Sequence, residues 1–214
     1  SMKLNFCYDK EKDTWCLLNK GKSSNNSPAP TNVYSELIDK YGIDPDVQKV
    51  SLFIDEYLKE KGYDINDLIL KCEKDFNNIS SSFEQIAERV FNVQLNTEIT
   101  VYLTINNRCP YSIEEKWFFV SISQNTVIKT LMHELWHFYT WEKFGTSEVS
   151  RLGVKKYNDI KEALTVLLNV ECKDLLPEGS VDTGYSQHQE LRQRILDLWS
   201  KEKDIQKLWT ELAS

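Results

Sequence analysis

The spacing of apolar positions switches between a period of two and a helical period along this chain. Met2-Lys3-Leu4-Asn5-Phe6-Cys7-Tyr8 alternates like a strand, Asp9–Asp13 reads as a turn, and Thr14–Leu18 predicts a returning strand. Residues 1–19 are therefore expected to form an N-terminal β-hairpin. Residues 20–32, rich in Ser, Asn, Pro and Lys, read as a linker or loop. From Val33 to about Asn92 the period is helical. Asp44-Pro45 predicts a helix start that leads to Val47, Val50, Phe53, Ile54, Tyr57 and Leu58 on one face and stops at Gly62. Asp64 predicts a second helix (Leu68, Ile69, Cys72, Phe76), and Ser82 a third (Phe83, Ile86, Ala87, Val90, Phe91). The period of two returns over Glu98–Ile105, and Lys116–Ser123 reads as a second strand with apolar residues on both faces, with Cys109-Pro110 in the loop between them.

Asn125 or Thr126 then predicts the cap of a helix running to about Phe144 and ending at Gly145. Beyond a polar loop, Gly145–Lys156, another helix is expected from near Asn158. A segment with Pro177, Gly179 and Gly184 leads to a long helix from about Ser186, with Leu191, Ile195, Leu198 and Trp199 on one face. Helices, then strands, then helices again predict one α+β domain over residues 33–214, with helices packed on a small mixed or antiparallel sheet.

The helix after the second strand changes the picture, because it carries His133-Glu134-Leu135-Trp136-His137. Two histidines four apart lie about 40° from each other round a helix axis, so both imidazoles can reach one metal ion. Glu134 then stands on the neighbouring face, where a metal-bound water would sit; this is the His-Glu-x-x-His arrangement of zinc hydrolases. The chain has only three histidines and two of them are here. Leu131, Met132, Leu135, Trp136, Phe138 and Trp141 make the same helix apolar nearly all round, which predicts burial. Ionisable groups in a buried helix are costly unless they are paired or bind metal.

Composition narrows the partners. A net charge of −7 with no basic stripe excludes a generic nucleic-acid or membrane surface. Apolar runs are short and interrupted by charge, so neither a signal peptide nor a spanning helix is expected. Ser1 ahead of Met2 reads as a remnant of tag removal. The five cysteines, odd in number and never spaced C-x-x-C, predict reduced thiols and a cytoplasmic setting, although Cys7 and Cys16 could pair across a hairpin.

A catalytic zinc needs a third protein ligand and an open position. Glu162 stands 25 residues beyond His137 at the edge of an apolar run, with Ala163 beside it to permit close helix approach. On His133-Glu134-x-x-His137 and Glu162, with the strand ahead of the motif helix, the stretch from Glu98 to Val170 resembles the gluzincin branch of the zincin superfamily of metallopeptidases. The resemblance implies a zincin-like fold and one zinc ion held by His133, His137 and Glu162. It implies Glu134 as general base and a peptide or protein substrate. Many gluzincins carry an aspartate shortly after the glutamate to hold a histidine; Thr165 and Val166 occupy that region here, leaving Asp159 as a replacement. The metzincin pattern fails at Thr140 and Lys143. Gly145-Thr146-Ser147-Glu148 approaches the aspzincin pattern, which keeps Glu148 as the alternative third ligand. Tyr185 and His188, the third histidine, are alternative donors to the oxyanion of a tetrahedral intermediate. The competing reading of the whole is a zincin-like domain whose zinc serves structure or protein recognition without efficient hydrolysis.

Overall fold

A computed structural model describes residues 1–214 as an α+β protein in two compact units. One unit comprises Met2–Asp75 and Glu98–Val127; the other comprises Phe76–Thr97 and Ile128–Ser214, with Ser1.

The first unit holds the sheet. Strands β1 (Lys3–Cys7), β2 (Glu98–Thr104), β3 (Tyr111–Ser112) and β4 (Trp117–Ser121) lie in the order β1-β2-β4-β3. β2 runs parallel to both β1 and β4, and β3 pairs antiparallel with β4, so the sheet is mixed. The alternation expected of β2 holds, with Ile99, Val101 and Leu103 buried.

The expected N-terminal hairpin is not present. β1 pairs in parallel with β2, more than ninety residues away, and Thr14–Leu18 is helical. The reason is local: Asp9 accepts from the backbone N–H of Glu11 and Lys12 and caps helix α1 (Lys10–Cys16), whose Asp13, Thr14 and Cys16 are buried. A π-helical turn, Leu17–Gly21, continues it. Of the linker and loop readings of residues 20–32, the structure shows a loop within this unit, largely exposed between the buried Gly21 and Thr31. The Arg108 guanidinium donates to the carbonyls of Lys20 (2.6 Å) and Ala29 (2.8 Å), and Thr31, which caps α2 (Asn32–Tyr41), donates to Asn106 Oδ1 at 2.7 Å.

Helix α3 (Val47–Glu60) is capped by Asp46, while Asp44 adopts a left-handed conformation (φ 54°) ahead of it. Two helices were expected between Asp64 and Asn92; one, α4 (Ile65–Phe91), spans 27 residues and runs from the first unit into the second. Buried Cys72, Phe76, Ile79, Phe83, Ala87, Val90 and Phe91 keep one helical phase through Ser80–Ser82, so the serines mark no boundary.

The second unit is helical. α5 (Ile128–Leu152) carries the motif, α6 (Val154–Ala163) follows, and a 3-10 turn (Leu164–Leu167) leads into the short α7 (Leu168–Glu171). The expected stop at Gly145 is a kink (φ 9°, ψ −120°), and helix resumes to Leu152 where a loop was predicted. A 3-10 turn at Ser186–His188 opens α8 (Gln189–Lys201), and Asp204 caps α9 (Ile205–Ala213), splitting the predicted long C-terminal helix. Trp136 and Tyr139 of α5 pack on Phe83 and Phe91 of α4, the closest rings being Phe91 and Trp136 at 4.9 Å. Phe144 stacks on Trp209 at 4.1 Å. No helix is long and apolar enough to cross a membrane, and all five cysteines are free thiols.

Candidate metal centre

The second unit brings the motif histidines and Glu162 together. α5 turns into α6 through Gly153, whose φ of 87° is one that L side chains rarely adopt, and this reversal sets Glu162 opposite the motif. Ala163 is fully buried, and Trp136, from inside the motif, donates its indole N–H to the Leu164 carbonyl at 3.1 Å. That bond fixes the end of α6 against the turn of α5 that bears both histidines.

His133 Nε2 and His137 Nε2 are 3.2 Å apart, and Glu162 Oε2 lies 3.8 Å from the first and 3.4 Å from the second. The three donor atoms fit within 4.8 Å of one another. A tetrahedral zinc with bonds of about 2.0–2.1 Å requires its donors to be about 3.3 Å apart, so the spacing and the two-imidazole, one-carboxylate set both fit that ion. The His133 side chain keeps 24% of its exposure and His137 only 1%, which places the cluster at the edge of the interior with one side open to solvent.

The charges around the cluster are strongly coupled. Burial opposes protonation of His133, but the hydrogen bond and charge of Asp182 outweigh it and raise its pKa to about 9. His137 is pushed down to about 4, because burial outweighs the pull of Glu162. Glu162 itself is held well below the usual carboxylate range; burial would raise it, but the His137 and Lys161 partners prevail. Lys161, buried beside it, places Nζ 3.4 Å from Glu162 Oε1, the oxygen that does not face the histidines.

Glu134 is buried, and its Oε2 has no hydrogen-bond partner. Burial first, then the charges of Glu162 and Asp182, raise its pKa to about 8 against the opposing His133 and Lys161. A bound dication would favour its ionised form.

Glu148 stands outside this cluster. Its carboxylate accepts from Nε and one terminal nitrogen of Arg151 (2.7 and 2.8 Å) and from the indole N–H of Trp209 (2.6 Å), so its role is to hold α9 to the resumed part of α5. Asp159 does not support a motif histidine; it pairs with Lys155 and with His188 Nε2 at 3.1 Å. His188 is buried at the start of α8, with the Tyr185 ring edge-on to it at 5.9 Å.

The missing support for His133 comes from Asp182, which sequence reasoning did not single out. Its Oδ2 lies 2.5 Å from His133 Nδ1, the nitrogen turned away from the cluster, and so keeps Nε2 available to a metal. Asp182 lies in an irregular segment between Pro177 and Tyr185, 45 residues beyond His137, and no periodicity marks it. Thr165, in the region where an aspartate was sought, reaches Asp182 Oδ1 at 2.8 Å. No protein-family model matches this chain, and comparison with curated proteins and with solved structures finds no significant match.

Proposed function

We propose that this protein is a zinc-dependent peptidase of the gluzincin kind, with a zincin-like fold, acting on a peptide or protein substrate. The observation that carries the reading is the convergence of His133 Nε2, His137 Nε2 and Glu162 Oε2 within 4.8 Å, next to a buried carboxylate, Glu134, whose Oε2 has no partner. A purely structural zinc has no use for such a base, whereas a hydrolase needs one.

Zinc bound there would supply a Lewis acid and acidify a water molecule. The chain's own groups do the rest. His133 Nδ1–H donates to Asp182, which fixes the ring and tautomer, and Lys161 holds the far oxygen of Glu162. Glu134 takes the proton from the attacking water at Oε2 and returns it to the leaving amine, so that both transfers use one positioned carboxyl group. Tyr185 is the proposed donor to the developing oxyanion; in the alternative, His188, Asp159 engages Nε2 and only the buried Nδ1 is left to donate.

Elemental analysis tests the metal assignment directly. The purified protein is expected to carry about one zinc per chain, with loss in His133→Ala and His137→Ala. Full occupancy in either variant would overturn it.

A further inference from the structure

Asp182 is held by more bonds than a loop residue needs to stay in place. Its backbone N–H donates to Asn169 Oδ1 (2.8 Å), and its carbonyl accepts from Asn169 Nδ2 (2.7 Å) and from an Arg192 NH2 group (2.6 Å). Its carboxylate, beyond the contact with His133, meets Thr165 Oγ1 at 2.8 Å and Arg192 NH1 at 3.0 Å. The same Arg192 nitrogen reaches Thr165 Oγ1 at 3.0 Å. Arg192 is only 4% exposed, a cost that its bonds to Asp182 and Thr165 offset.

The backbone makes room for this clamp. Gly184 has φ 66°, and a Cβ there would lie 2.5 Å from Arg192 NH1 and 2.7 Å from Cζ. The guanidinium therefore passes through space that only glycine leaves open. It grips Asp182 with two nitrogens, one on the carboxylate and one on the carbonyl, a fork that a lysine cannot reproduce.

We propose that Arg192 is a positioning residue for the metal centre: by clamping Asp182 from α8 it fixes the ring of His133, although it touches no ligand itself. The inference rests on the zinc reading of His133, His137 and Glu162. Outer partners of metal-bound histidines typically contribute about 10–100-fold in metal affinity. Arg192 acts one bond further out, so about tenfold is expected.

The test is zinc Kd by competition with a chromophoric chelator for wild type, Asp182→Asn, Arg192→Met, Arg192→Lys and the Asp182→Asn/Arg192→Met double variant. Circular dichroism of the metal-free proteins serves as the folding control. Arg192→Met and Arg192→Lys should each weaken binding about tenfold, and the double variant should match Asp182→Asn within about twofold, because both act through one contact. In proton NMR, the downfield His133 Nδ1–H resonance should shift in both Arg192 variants, which a general loss of stability would not produce. Should Arg192→Met fail to fold, Arg192→Lys, which keeps the buried charge, and Gly184→Ala, which displaces the guanidinium, carry the same expectation. Wild-type Kd and an unmoved His133 resonance in folded Arg192 variants, with Asp182→Asn weakened, would overturn the inference. Absence of zinc binding in wild type would instead overturn the metal reading on which it rests.

Discussion

Asp13→Asn is expected to stabilise the protein at neutral pH. Asp13 has no exposed surface, and its carboxylate accepts from Tyr8 Oη at 2.7 Å, Thr104 Oγ1 at 2.5 Å and the Ile105 N–H at 3.2 Å. Burial raises its pKa from 3.8 to about 6, and the three hydrogen bonds only partly oppose that. The folded chain thus binds this proton more tightly than the unfolded chain. The group's contribution to stability is complete below about pH 3.8 and is lost as pH rises through about 6. A shift of about two units corresponds to roughly 3 kcal/mol at pH 7. An asparagine keeps the acceptor at Oδ1 for Thr104 and Ile105 and offers an N–H to Tyr8 Oη, whose own O–H then loses its acceptor, a cost that does not vary with pH over this range. Urea unfolding of metal-free wild type and Asp13→Asn, followed by circular dichroism from pH 4 to pH 7.5, isolates the effect. The stability difference, variant minus wild type, should rise by up to about 3 kcal/mol across that range and level off above pH 7. A flat difference, or one that falls with pH, would refute the assignment of a buried, reluctantly ionised carboxyl group.

Two further outcomes separate roles at the metal centre. Glu162→Ala should weaken zinc binding by more than about 100-fold, since it removes one of the three proposed ligands, while Glu148→Ala should leave zinc affinity unchanged and lower thermal stability through the lost Arg151 and Trp209 bonds. Tyr185→Phe should lower kcat with little change in KM or zinc content, because an oxyanion contact matters in the transition state, whereas loss of turnover in His188→Ala with an active Tyr185→Phe would transfer that role to His188.

What could be read in the sequence follows from how far each signal reaches. His133, Glu134 and His137 share one helix, and their spacing is a local property; the placement of Glu162 beside the two histidines could be expected because a third candidate ligand was looked for on the next helix. Asp182 and Arg192 could not be found this way. One lies in an irregular segment, the other is an arginine on an otherwise amphipathic helix, and only the folded backbone brings them to His133. The hairpin misreading has the same origin. A parallel partner more than ninety residues downstream leaves no mark beside β1, while Asp9, read as part of a turn, is a helix cap. Ser80–Ser82 misled in the opposite sense, because residues that favour caps were read as a boundary although the buried stripe continues in phase through them.

The most direct test of the account is hydrolysis of a random peptide mixture by zinc-loaded wild type and by Glu134→Gln, followed by mass spectrometry with the zinc content of each sample measured alongside. Glu134 is buried beside His133, His137 and Glu162, the three groups that could hold a metal, and is not one of them. The variant should therefore retain about one zinc per chain while cleavage falls by roughly 10² or more, and chelator should abolish cleavage by wild type. Equal cleavage by the two zinc-loaded proteins, or none by zinc-loaded wild type, would contradict the assignment of a zinc peptidase with Glu134 as its base.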